Sequence, residues 1–342
     1  MPMPDLVATL SSLEALGARS NNVQSLSGRL TAMHLLRILA CSMVALAGTV
    51  AAGDRAQVPA EFIHDQVWVT PTLGGERLRL FTDTGGGWNA ISDALVQRLA
   101  LVREPSEGGE LVAWPAFDED ASIPAAPPHF MGGRLALAPQ QQLSGADGFL
   151  GGRWFADGVW EFDYPNRRLY RLAGFTDPGE QFHRVALGFQ TNEAGHRTMH
   201  FPSIEVEVDG EALPMLYDSG ATATTTESSA PVFGVEPGTN VGTSFIEHAV
   251  FERWAKAHPD WRVIEAADLK GTQKRRMIEV PRITIAGHSV GPVWFSEQPK
   301  GAFQSYMAGM MDRPTWGALG GSALKYFRVV IDYPGSAAYF QR

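Results

Sequence analysis

The stretch Gly75-Glu76-Arg77-Leu78-Arg79-Leu80-Phe81-Thr82-Asp83-Thr84-Gly85 returns 135 residues later as Gly210-Glu211-Ala212-Leu213-Pro214-Met215-Leu216-Tyr217-Asp218-Ser219-Gly220. In each copy a glycine turn leads into an apolar run that ends in aspartate, a hydroxyl residue and glycine, and eight residues separate the first glycine from the aspartate. A second pair of matches lies downstream. Phe149-Leu150-Gly151 is followed by Phe162-Asp163-Tyr164-Pro165, and Ala318-Leu319-Gly320 by Ile331-Asp332-Tyr333-Pro334, with twelve residues from glycine to aspartate in both. Four anchors in one order at matched spacing imply an internal duplication.

The copies differ in one interval. Asp83 to Gly151 spans 68 residues and Asp218 to Gly320 spans 102, so 34 extra residues sit in the second half. Phe245–Ala255 there has apolar residues at helical spacing, which predicts a short helical insertion near 245–271. The join falls in Gly174–Glu193, which gives an N-terminal unit over 53–180 and a C-terminal unit over 181–342. Val67–Thr70, Leu78–Phe81, Ile204–Val208 and Arg282–Ile285 read as strands, Gly74-Gly75 and Asp209-Gly210 as hairpin turns, and Ile91–Leu99 and Ser322–Phe327 as short helices. The fold class is therefore all-β, built twice.

The 342 residues carry 28 Lys+Arg against 37 Asp+Glu, a net charge of −9, and lack a long basic block, which argues against nucleic acid as partner. A single cysteine, Cys41, excludes a disulfide framework, a Cys-x-x-Cys redox pair and a thiolate zinc site. Before the repeats, His34 and Arg37 precede a 13-residue apolar run, Ile38–Val50, that ends in Val50-Ala51-Ala52. Basic flank, short apolar core and small residues predict a signal peptide over 1–52, with Met33 as an alternative start and cleavage after Ala52. The product is then exported, periplasmic or secreted; if uncleaved, the same run is a membrane anchor.

An aspartate that leaves a strand at a glycine turn is exposed to a partner brought close by the missing side chain. Two such loops facing one another across a pseudo-twofold axis would oppose Asp83 and Asp218. Adjacent carboxylates do not both ionise easily, so one holds a proton while the other activates water. Thr84 and Ser219 have hydroxyls that can cross to the opposite loop.

Asp83-Thr84-Gly85 and Asp218-Ser219-Gly220, each followed in register by an apolar-apolar-Gly segment, resemble the aspartic peptidases. The likeness runs over roughly 62–342: the half-length is similar to a retroviral-type unit, and the single-chain duplication to the pepsin-type arrangement. It implies two retropepsin-like β-barrel lobes about a pseudo-twofold axis. An extended peptide would lie between them, with Asp83 and Asp218 catalytic, Thr84, Gly85, Ser219 and Gly220 supporting the dyad loops, and no metal or other cofactor. It further implies an endopeptidase that acts as a monomer on peptide or protein substrates. A catalytically inactive relative that binds extended peptide, or an exported β-rich scaffold or ligand-binding protein, are the alternatives. One departure stands out: Gly86 and Ala221 follow the glycines, and Gly86 has no hydroxyl to orient Asp83. Glu110–Pro115 reads as a flap hairpin with Trp114 in the core rather than facing substrate; the second half shows no equivalent.

Other signals carry less. His196 and His200 are four apart but lead into a strand, so they read as solvent-facing rather than metal ligands. Asp83–Gly87 lacks the lysine of a phosphate loop, and no Gly-x-Ser-x-Gly elbow occurs. Lys270–Arg276 reads as a solvated loop, and Asp163 and Asp332 as turn formers.

Overall fold

The computed structural model describes residues 55–118 and 123–342, and the sequence signal over 1–52 lies outside them. Strands dominate the described residues, as expected for an all-β protein, and form three large sheets. Among them no helix is long and apolar enough to cross a membrane.

The six-stranded sheet binds the two halves of the chain together. Its order is Arg55–Val58, Arg168–Leu172, Val159–Asp163, Arg328–Asp332, Ala337–Gln341, His183–Ala186, antiparallel throughout. The seam is the pairing of Val159–Asp163 with Arg328–Asp332, in which Trp160, Phe162, Val329 and Ile331 are at most 1% exposed. Each side chain buried this fully contributes about 1.5–3 kcal/mol. Asp163 and Asp332 end these strands and accept the backbone N–H of Asn166 and Gly335, so both are turn formers as expected.

The other two sheets share a pairing scheme. In the eight-stranded sheet Leu80–Asp83 lies parallel to Gly148–Gly151, which is antiparallel to Asn89–Ser92, itself parallel to Leu135–Ala138. In the nine-stranded sheet Glu211–Tyr217 lies parallel to Gly317–Leu319, which is antiparallel to Ser244–Glu247, itself parallel to Val293–Gln298. Both turns read from the sequence are two-residue hairpin turns with positive φ at both positions: 60° and 79° at Gly74-Gly75, 53° and 77° at Asp209-Gly210.

The expected helical insertion is corrected. Phe245 is not helical: it pairs with Ala318 in the sheet, as Ala90 pairs with Phe149. The helix His248–Ala257 follows its strand just as Asp93–Arg98 follows Asn89–Ser92, so it is matched in the first half. The surplus lies on both sides of that helix. Asp218 to Phe245 takes 27 residues where Asp83 to Ala90 takes seven, and the excess forms the Thr222–Thr224/Asn240–Gly242 ribbon and the helix Ala230–Phe233. A buried strand running directly into a helix has apolar residues that helical periodicity absorbs.

Candidate active site

Asp83 closes the Leu80–Asp83 strand level with Gly151, and the Asp218 N–H donates to Leu319 O at 2.9 Å. Gly151 must be glycine for steric reasons: a β-carbon there would come within 2.6 Å of Gly86 O. Its N–H donates to Asn89 Oδ1 at 2.9 Å, and the Gly320 N–H donates to Ser244 Oγ at 3.1 Å. Asn89 and Ser244 thus hold equivalent places in the two sheets, and their residue types gave no sign of it in sequence.

The two loops meet across the structure. Thr84 Oγ1 accepts the Ser219 N–H at 2.9 Å and donates to Tyr217 O at 3.0 Å, while Ser219 Oγ accepts the Thr84 N–H at 3.2 Å. Thr84 and Ser219 are both 0% exposed. The sequence-predicted residues therefore come together, with the carboxyl of each aspartate packed against the glycine of the opposite loop and each acting on the other. The approach leaves no room for side chains at the loop glycines: a β-carbon on Gly85 would sit 2.7 Å from Asp218 Cγ, and one on Gly220 would overlap the Asp83 carboxyl. Each aspartate also accepts the N–H two residues on, from Gly85 at 2.8 Å and Gly220 at 3.0 Å.

Burial first, then the charge of Asp218 and the hydrogen bond to it, push the Asp83 carboxyl well above the usual carboxylate range. Burial raises Asp218 as well. The hydrogen bond from Asp83, the N–H groups of Gly220 and Ala221 and the Lys270 ammonium oppose that rise. Both carboxyls are raised, so the pair holds a shared proton over a range of pH. A neutral carboxyl that can donate beside a carboxylate that can accept is a paired general acid and base.

Gly86 has a packing reason. A β-carbon there would lie 2.6 Å from the Phe149 ring, so the aromatic side chain takes the space that a hydroxyl residue would need. The first-half hairpin is Arg103–Ser106 with Gly109–Val112, beginning earlier than the expected Glu110–Pro115. Trp114 follows it, packed on the core and edge-on to Phe117 at 5.8 Å.

Two readings are overturned here. Lys270–Arg276 is exposed over 271–274 as expected but is not a free loop. It is the tip of a hairpin, Val263–Lys270 with Gln273–Val280, which gives the second half a counterpart to the first-half hairpin. Its cations escaped notice as structure because they find partners: Lys270 Nζ donates to Thr222 O at 2.6 Å, and Arg276 bonds Glu297 and Glu252. Nor is His200 solvent-facing. Its ring lies 5.7 Å from that of His129, and burial, with help from Arg153, His129 and Arg197, lowers its pKa to about 4. His196 is exposed.

His248, Glu252 and Glu297 form one group of metal-ligating types among the described residues. Arg276 bonds both of its carboxylates, and His248 Nδ1 sits 2.6 Å from Glu297 Oε1, so the group is a neutralised ion-pair network. No protein-family model and no curated protein matches this chain.

Proposed function

We propose that this chain is an aspartic-type endopeptidase with two retropepsin-like lobes related by a pseudo-twofold axis. One observation carries the reading: two carboxyls brought close together sit on loops tied by reciprocal Thr84–Ser219 bonds. The shared strand order and sense of the eight- and nine-stranded sheets support the duplicated lobes. Because one chain supplies both aspartates, the site is complete in a monomer.

In this mechanism Asp218, ionised, takes a proton from a water as that water attacks the peptide carbonyl carbon. Asp83 gives its proton to the carbonyl oxygen, forming a neutral tetrahedral diol. Collapse of the diol expels the amine, which takes a proton from Asp218, while Asp83 recovers its own from the diol hydroxyl. Gly85 and Gly220 hold the carboxylates through their N–H groups, and the absence of side chains there lets the pair touch. Export follows on this reading from the sequence signal before residue 53.

The test is cleavage of a mixed quenched-fluorescent peptide library between about pH 3 and 8, with and without a metal chelator. Chelator-resistant cleavage by the parent chain, absent in Asp83→Asn and in Asp218→Asn, is the expected result. Cleavage that survives either substitution or needs a metal refutes the mechanism. Peptide binding without turnover moves the assignment to a peptide-binding relative.

A further inference from the structure

The chain is acidic overall, yet the hairpin beside the dyad is basic: Lys270, Lys274, Arg275 and Arg276 lie within seven residues. Cross-strand pairing of Asp268 with Arg275 and Lys270 with Gln273 puts Lys270 and Arg275 on one face and Lys274 and Arg276 on the other, since successive side chains of a strand alternate between faces. The hairpin is anchored there. Asp268 is 0% exposed and accepts the Thr224 N–H at 2.9 Å and the Ser296 hydroxyl at 2.5 Å.

Lys270 lies at the edge of the candidate site. Its Nζ donates to the carbonyl of Thr222, four residues past Asp218, and lies 5.8 Å from the centre of the Phe245 ring. Phe245 pairs with Ala318, which pairs with Leu216 on the strand leading to Asp218. Among the described residues Lys270 forms no ion pair, and a single carbonyl uses one of its three N–H donors. The charged groups acting on it are Asp268 on its own strand, Arg275 opposite and Asp218 on the dyad loop. A pocket of about 270 Å³ adjoins the same hairpin, lined among others by Lys274, Arg275, Lys300, Gln273 and Gln298 together with Glu297, whose carboxylate Arg276 pairs. Within it Arg275 bonds the side-chain oxygen of Gln298.

We propose that this hairpin forms a subsite for acidic peptide side chains, with Lys270 as the residue that pairs the substrate carboxylate nearest the cut bond. The inference rests on the peptidase reading and deepens it. A half-buried ammonium with two donors unfilled favours a carboxylate over an isosteric amide, because a charge-assisted bond is about twice as strong as a neutral one. The lysine stays at the end of its strand while the substrate supplies the second charge.

The experiment compares peptides that are identical apart from one Glu, Gln or Lys placed in turn at each position flanking the cleaved bond, at pH 5.5 and pH 3.5. Both kcat/KM on the parent chain and anisotropy binding to full-length Asp83→Asn are measured. At pH 5.5 Glu should exceed Gln by about tenfold at one position, with Lys weakest. At pH 3.5 the preference should collapse, because the substrate carboxyl protonates near 4.3. Lys270→Met should abolish the preference, Lys270→Glu should reverse it toward Lys, and Lys270→Arg should keep it. Should the Lys270 variants not fold, Lys300→Gln on the exposed wall of the pocket should reduce the preference by about two- to threefold. Cleavage with no charge preference, or a preference that Lys270→Met leaves intact, overturns this subsite and leaves the dyad reading standing. Charge-selective binding without cleavage upholds the subsite and removes the catalytic reading. Absence of both overturns the two together.

Discussion

Replacing Thr84 by valine keeps the shape of the side chain and deletes its hydroxyl, so it isolates the tie between the dyad loops. Two bonds go: the one accepted from the Ser219 N–H at 2.9 Å and the one donated to Tyr217 O at 3.0 Å. Both lost partners are buried, with Tyr217 0% and Ser219 0% exposed, so neither N–H nor carbonyl finds water instead. A buried donor left unpaired costs about 1–3 kcal/mol, and a neutral bond contributes about 1 kcal/mol net, so Thr84→Val should destabilise by about 3 kcal/mol. Ser219→Ala deletes one longer bond, the 3.2 Å contact from the Thr84 N–H, and should cost about 1–2 kcal/mol. The ranking matters more than either value, because two loops that look alike in sequence are tied unequally. Guanidinium unfolding followed by tryptophan fluorescence measures it. A single transition is expected, since the Val159–Asp163/Arg328–Asp332 seam makes the central sheet common to both halves. A Thr84→Val cost under about 1 kcal/mol, or a Ser219→Ala cost equal to it or larger, would refute the argument.

Asp83→Asn should abolish peptide cleavage and yet raise the melting temperature near pH 7. Burial and Asp218 raise the folded Asp83 pKa, so its contribution to stability is full at low pH and lost as pH rises through that value; asparagine removes the loss, and thermal melts from pH 4 to 8 follow it. The rate profile should be bell-shaped with an upper limb above the ordinary aspartate range, because both carboxyls are raised; an upper limb near pH 4 would contradict the burial argument. For His200 the sign is opposite: its folded pKa of about 4 lies below the usual 6.5, so stability falls as pH drops through that window, and His200→Asn should flatten the slope in the same melts. Gly86→Ser should cost about 1–3 kcal/mol by driving its β-carbon into the Phe149 ring, and Phe149→Leu in the same chain should recover part of that loss; denaturation midpoints of the single and double variants decide it.

How much of this was legible in the sequence depends on how local each signal is. The strands around Asp83 and Asp218 were readable because alternation and glycine turns are local, and both turns took the positive φ values that such hairpins need. The meeting of the two loops was readable because duplication carries spatial information over 135 residues. Asn89 and Ser244 were not, since an amide and a hydroxyl share no pattern, and their common task exists only when each strand lies beside its glycine segment. The Val263–Lys270/Gln273–Val280 hairpin was hidden by its charges, which composition assigns to solvent; the sheet supplies Glu297, Gln298 and the Thr222 carbonyl as partners for them.

Gly86 shows how packing and chemistry share one position. Read as sequence, Gly86 has no hydroxyl to orient Asp83. In the fold the Phe149 ring fills the space above Gly86, itself 8% exposed and packed with Phe81 and Trp88. The loop is therefore confined by an aromatic wall instead of a hydrogen bond. Burial of the loop also acts on the electrostatics: it disfavours the charged form of Asp83, in the same direction as the neighbouring carboxyl, whereas a hydroxyl donor would favour it. Both carboxyls are raised by burial, and the Lys270 ammonium opposes that rise at Asp218. Two near-identical motifs thus acquire unequal surroundings through neighbours that lie outside both motifs.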